Sequence, residues 1–214
     1  KSYRRIHMAH RRPPLVKALQ LNTAVLVVEI AAGIGANSFS LIMDGVHNLS
    51  DEVALVLLVL AYSLRAGISG GLLRYANLFN SVGLLAISFF LILRVVDRLS
   101  HPVEVLGFVP VIAGLIGAAA NWGVARVLRE PSKEDVAIRL AYVHNLGDTL
   151  VSLIPVAAGI FVFISGSSVF DSIFALLIAG VIVITTLQAV VGLHRELLWP
   201  ENVSCGHSGT QQGA

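Results

Sequence analysis

Apolar residues run along most of this chain in long continuous blocks, interrupted at 35–38, 67–71, 100–102, 131–133 and 166–168 by short stretches of Gly, Ser, Pro and charged residues. Such breaks read as loops. Between them the pattern predicts six helices, at about 15–36, 39–63, 72–99, 104–128, 135–165 and 168–198. Each block reaches the length of about 20 apolar residues that a helix needs to cross a bilayer. The longer ones are expected to tilt or to protrude past the lipid. Strands of an open sheet are excluded, because lipid offers no partners to edge groups. Strict two-residue alternation is absent, which argues against a transmembrane barrel. Within two of the predicted helices the apolar pattern is broken by near-identical polar insertions, VHNLSD at 46–51 and VHNLGD at 143–148.

Composition supports an all-α membrane protein of six transmembrane helices. Only 13% of the 214 residues are charged and 56% are hydrophobic, against about 25% charged in soluble domains. Mean hydropathy is +0.80. With so much of the chain in lipid, the net charge of +2 says less than where the charges lie. The lone cysteine, Cys205, excludes an intrachain disulfide and leaves the redox compartment unread. Basic residues concentrate before the first span, between the second and third, between the fourth and fifth, and after the sixth. Only Arg94 and Arg98 fall on the other side. Basic residues mark the cytoplasmic face, so both termini are expected in the cytoplasm. The domain reading is a basic cytoplasmic segment at 1–14, a membrane domain at 15–198 and a short flexible tail at 199–214, rich in Gly, Ser and Gln. The basic N-terminal run is read as a topology determinant and lipid-headgroup contact, with no nucleic-acid partner.

The doubled insertion carries the chemistry. Residues four apart share a helix face, so His47 and Asp51 point together, as do His144 and Asp148. Two antiparallel spans could bring the pairs face to face near the bilayer midplane. A central Asp costs about 2.5–3.5 kcal/mol on insertion scales, so ionisable groups here require a partner or a water-filled path. Interhelical His–Asp hydrogen bonds that merely hold the bundle together would explain one pair, but not its duplication at the same spacing. Two imidazoles and two carboxylates form an N₂O₂ set that suits tetrahedral Zn²⁺. An all-carboxylate set would favour Mn²⁺, Mg²⁺ or Ca²⁺, and the lack of Cys and Met disfavours Cu(I). Cd²⁺ and Co²⁺ stay open. The ligands come in halves from two helices, and metal competes with protons for them. A midplane site that opens alternately to each side and takes metal or protons is the logic of a metal/proton antiporter.

At these residues the sequence resembles the cation diffusion facilitators, the zinc-transporter family of divalent-metal/proton antiporters. The resemblance covers about 15–198. It rests on ANSFSLIMDGVHNLSD (36–51), YVHNLGDTLVS (142–152), VEI (28–30), Asn80 and Asn121. It implies a transport site of His47, Asp51, His144 and Asp148, with zinc as transported substrate and no tightly bound cofactor. It further implies a homodimer and metal export from the cytoplasm driven by protons. One departure is plain: most members carry a cytoplasmic metal-binding domain after the sixth span, whereas WPENVSCGHSGTQQGA follows here. The chain is therefore expected to be a short member or a truncated one, dimerising through membrane helices if at all. The 4–5 loop REPSKED lacks a His-rich stretch, which points to a multi-pass protein of a bacterial inner (cell) membrane.

Other polar residues admit two readings each. Asp44 is a path residue or a support for a site histidine, against a plain helix-start charge. Glu29 relays protons or hydrates a vestibule, against a hydrogen bond to a polar neighbour such as Asn80 or Asn121. Asn48 and Asn145 are read as interhelical hydrogen-bonders, and Ser152 lines the path or packs the core. Arg94 and Asp97 are expected to pair or snorkel. His7, His10, His101 and His194 are read as solvated, and Cys205 with His207 as a weak metal scavenger at best. An enzyme is not expected: an intramembrane metalloprotease would need HExxH, which is absent. The remaining alternatives are the same fold carrying Cd²⁺, Co²⁺, Mn²⁺ or Fe²⁺, a proton channel, and a non-transporting membrane metal sensor or structural protein.

Overall fold

A computed structural model describes residues 2–63, 70–134 and 136–194. Side chains are described for 13–60, 78–134 and 138–191. The tail at 199–214, including Cys205 and His207, lies outside the described residues, as do Arg65, the first part of the 67–71 break, and the side chains of His7, His10 and His194. The described residues form seven α-helices and one 3₁₀ turn (Pro131–Lys133), with no strand among them. The helices are α1 (Ser2–Gly35), α2 (Phe39–Ser63), α3 (Gly70–Ser100), α4 (Phe108–Leu128), α5 (Val136–Val151), α6 (Leu153–Ser165) and α7 (Val169–His194).

Three differences from the expected spans are seen, and the third has a clear physical cause. The basic N-terminal segment is helical from Ser2 and continues through Pro13 and Pro14 into the first span. The fourth span starts at Phe108 rather than near 104. The fifth span is split in two at Ser152. Pro155 has no N–H for the carbonyl four residues back, Val151, and its ring crowds that carbonyl. The ladder therefore breaks where α5 ends. Pro155 was the sequence signal for this break.

Five segments are long and apolar enough to cross a membrane: Pro13–Gly35, Leu78–Ser100, Phe108–Leu128, Ile138–Ser165 and Val169–Val191. α5 and α6 together make one of them. α2 has the length of a sixth, but Asp44, Asp51 and Glu52 lower its apolar character. The helix least suited to lipid is thus the one that carries the first polar insertion. The outer surface is apolar, with Phe79, Phe89, Phe163 and Ile164 turned outward, the inverse of a soluble domain's polar exterior. The chain is a multi-pass membrane protein.

α2 is the central element and belongs to both apolar clusters. Met43 and Val46 pack with Leu84 and Val95 of α3 and with Ala175, Ile178 and Ile182 of α7. Leu55 and Leu58 pack with Leu15 and Ala18 of α1, Val124 and Leu128 of α4, and Ile138 of α5. The polar insertion of α2 lies between these two greasy ends.

Turn chemistry fixes how α1 delivers the chain to α2. Asn37 holds a left-handed φ of 55°, a conformation that Asn tolerates better than most residues. Ser38 N–H donates to Gly33 O at 2.9 Å and Asn37 N–H to Ile34 O at 3.3 Å, the paired bonds of a Schellman cap. The start of α2 is then capped from the far end of the sequence. Asp171 of α7 accepts from Ser38 Oγ at 2.7 Å, Ser40 Oγ at 2.6 Å and Phe39 N–H at 2.6 Å. A carboxylate at a helix N-terminus satisfies unpaired N–H groups and matches the helix dipole. Arg98 of α3 stands 4.0 Å from the same carboxylate and 4.4 Å over the Phe39 ring. Of the two behaviours expected of Arg94 and Asp97, mutual pairing is not the one seen: Arg94 lies over Phe90, and Asp97 faces His101 at 3.5 Å. On the opposite flank, α4 and α6 cross closely at Gly159. A Cβ there would overlap Gly107 O and the Val111 side chain, so small residues set this crossing, as is general in membranes.

Candidate metal centre

The two insertions meet. His47 and Asp51 from α2 and His144 and Asp148 from α5 each offer a ligand atom, and those atoms all lie within 4.8 Å of one another. The pairing crosses between helices. His47 Nε2 is 3.0 Å from Asp148 Oδ1, and His144 Nε2 is 2.6 Å from Asp51 Oδ1. The imidazole rings meet edge to face, with centroids 5.9 Å apart.

Each cross-pair requires a proton between the two atoms, because an imidazole lone pair and a carboxylate oxygen repel at such distances. A metal taking Nε2 must displace that proton to the other ring nitrogen or out of the site. Tetrahedral zinc at about 2.0–2.1 Å from its ligands needs them roughly 3.3 Å apart, so each cross-pair, at 3.0 and 2.6 Å, must open a little and the longer separations must close to hold the ion. Asp51 Oδ2 and Asp148 Oδ2 are buried without hydrogen-bond partners. Unpaired buried oxygens of this kind favour a cation.

Access is one-sided. The His144 side chain is 50% exposed, whereas those of Asp51, His47 and Asp148 are 5%, 7% and 4% exposed. The site is open at His144 alone, whereas Asp51 beside it and the flank at His47 and Asp148 are closed. α5 packs mainly on α4 and not closely on α2, so the four side chains themselves bridge the two helices.

The supporting residues sort differently from the sequence reading. Glu29 of α1 accepts a hydrogen bond from Asn48 Nδ2 at 2.6 Å, a polar neighbour of the kind expected, though neither Asn80 nor Asn121. Asn80 donates to Ser50 Oγ at 2.9 Å. Asn121 donates to Ser152 Oγ at 3.0 Å, joining α4 to the α5–α6 break. Asn48 does bond between helices, but Asn145 donates to Ala141 O on its own helix at 2.8 Å. Asp44 is fully buried and lies beside Glu29 and Ser152. Asp171 and Glu52 escaped the sequence reading, and the partners of Asn22 did too. Asp171 was hidden at a span end. Asn22 donates to Glu52 Oε2 at 3.0 Å and to Asn48 O at 3.1 Å, tying α1 to the segment that holds Asp51. Glu52, next to Asp51 but off its face, was the available signal for that tie.

Known proteins align with most of this chain. An antiporter of Bacillus velezensis described as "Cadmium, cobalt and zinc/H(+)-K(+) antiporter" is 30% identical over 167 residues, covering 73% of this chain and 53% of that protein. The "Zinc transporter ZitB" of Yersinia pestis is 28% identical over 193 residues, covering 86% of this chain and 62% of the relative. A "Metal cation efflux system protein CzcD" of Cupriavidus metallidurans is 25% identical over 169 residues, covering 75% of this chain and 54% of its own length. The chain therefore spans a little over half the length of these relatives. The cation efflux transmembrane domain matches residues 15–198, from the first described side chains of α1 to beyond the end of α7, and the chain belongs to that family of cation efflux proteins.

Proposed function

We propose that this chain is the membrane domain of a transporter that exports a divalent transition-metal cation, Zn²⁺ before others, in exchange for protons. One observation carries the reading: two helices contribute one His and one Asp each to a single cluster whose histidines reach across to the opposite carboxylates. A cage built in halves is dismantled when its helices part. Nitrogen donors favour zinc over the hard cations, and the relatives named for zinc, cadmium and cobalt agree with that choice. No catalytic residue and no resident cofactor is part of this reading.

Proton exchange follows from the ligands. Metal binding needs neutral imidazoles and ionised carboxylates, so protons and metal exclude one another. The basic residues support cytoplasmic termini. In that orientation the open flank at His144 faces the cytoplasm, and the arrangement is the one that loads metal for export. The site then consists of His47, Asp51, His144 and Asp148, within a bacterial inner membrane and within a homodimer formed by membrane helices. Bridging pairs that only brace the bundle are the rival reading, in which the chain senses or holds metal without moving it.

Zinc flux into proteoliposomes under a pH gradient tests the proposal, wild type against Asp51→Ala. Gradient-driven uptake that is lost in the variant is expected. Zinc binding without flux in the wild type would overturn transport in favour of the static reading.

A further inference from the structure

A second polar cluster lies one helical turn from the His/Asp site, on its closed flank, and the exchange described above does not use it. Glu29 of α1 and Asp44 of α2 are both fully buried and lie within reach of each other. Asn121 of α4 and Ser152 at the α5–α6 break complete the walls. Glu29 Oε1, both Asp44 carboxylate oxygens, and Oδ1 of Asn48 and of Asn121 are buried with no hydrogen-bond partner among the described residues. Two ionised carboxylates cannot satisfy one another, since neither then has a donor, and the Ser152 hydroxyl beside Asp44 can supply only one. Leaving such acceptors buried and unpaired is costly, so the cluster is built to hold something positive.

The surroundings are shaped for that role. Gly117 of α4 faces the Glu29 carboxyl so closely that a Cβ would overlap Oε1. α5 ends at Val151, beside the cluster, and a helix C-terminus carries partial negative charge that favours a cation. Broken helices near the midplane serve cation sites in other transporters for the same reason.

We propose that Glu29 and Asp44, with Asn121, Asn48 and Ser152, form a second cation site made of oxygen donors only, which takes a hard divalent cation of the Mn²⁺, Mg²⁺ and Ca²⁺ class. Nitrogen and sulfur are missing from the set, and oxygen-only sites select hard cations. Asp44 and His47 are three residues apart, about 4.5 Å along a helix. Two divalent charges at that separation in a buried setting repel strongly, so the sites fill alternately. The second site is then a holding position on the far side of the His/Asp cage from the open flank. This goes beyond the transport reading and stands or falls by binding, whether or not the chain carries flux.

The test uses the full chain in lipid nanodiscs and Mn²⁺ as the probe, read by electron paramagnetic resonance. In a background of Asp51→Asn with Asp148→Asn, which disables the His/Asp site, one Mn²⁺ per chain is expected to bind. Glu29→Gln or Asp44→Asn added to that background should weaken it by about tenfold or more. In the wild type, saturating Zn²⁺ should weaken Mn²⁺ binding. No Mn²⁺ in the background protein, or binding indifferent to Glu29→Gln and Asp44→Asn, overturns the site. Infrared spectra of the wild type give a readout free of folding defects. A carboxylate shift on adding Mn²⁺ supports the site, whereas a protonated-carboxyl band that persists at Mn²⁺ saturation and is lost in Glu29→Gln shows that a proton holds the cluster, and overturns it.

Discussion

His47 on α2 places its Nε2 3.0 Å from Oδ1 of Asp148 on α5, so the histidine of each insertion is matched to the aspartate of the other. The two motifs are one site only in combination, and the pairing sets how mutations should behave. His47→Ala and Asp148→Ala remove halves of the same contact. Each is expected to weaken zinc binding by about 100-fold, at the upper end of what even supporting partners of ligands cost. The double variant should lose at least as much as the two single ones together, because each residue makes its own bond to the metal while their mutual contact is lost from the metal-free site only once. Isothermal titration in detergent checks this, and a double variant no weaker than either single one would show that only one of the two is a ligand.

Acid should release the metal. Ligating imidazoles must be neutral and ligating carboxylates ionised, so lowering the pH adds protons that compete for the same atoms. Zinc affinity is expected to fall as pH falls, by about one decade per pH unit for each proton displaced. The slope of log Kd against pH therefore counts the protons exchanged per metal. A flat profile would sever metal binding from proton exchange.

Replacing both nitrogens with oxygen should harden the site. His47→Asp with His144→Asp converts the donor set to four carboxylates, which favours Mn²⁺ over Zn²⁺. Competition between the two metals in equilibrium dialysis should shift towards Mn²⁺ by about tenfold or more. Unchanged selectivity would show that these histidines are not ligands.

Asp171 offers a prediction about stability without chemistry. Asp171→Ala removes the acceptor shared by Ser38, Phe39 and Ser40 at the start of α2 and leaves Arg98 without its nearby carboxylate. Losing a buried charge partner costs about 3–5 kcal/mol. The thermal unfolding midpoint should drop clearly, while zinc affinity measured well below that midpoint stays near the wild-type value, because the cap lies about two turns of α2 before His47 and about three before Asp51. Loss of affinity in a folded variant would mean that the cap also sets the orientation of the site.

Much of this protein is determined by residues acting locally. Membrane spans follow from runs of apolar residues, because lipid forces each backbone group to find its partner within its own helix. His47 with Asp51, and His144 with Asp148, share faces because helical spacing is local, and the cost of burying them marks them as a set. Pro155 carries the break in the fifth span in the same local way.

The rotation and register of one helix against another is a different matter. A helix in a membrane is apolar towards lipid and towards its neighbours alike, so its pattern does not say which face meets which partner; small residues and buried polar contacts decide that. Only the tertiary structure therefore crossed His47 with Asp148 and turned Glu29 to Asn48 and Asp44 rather than to Asn80. For the same reason it alone carried Asp171 across the chain to cap α2, since that contact joins residues far apart in sequence and depends on where α3 and α7 pack.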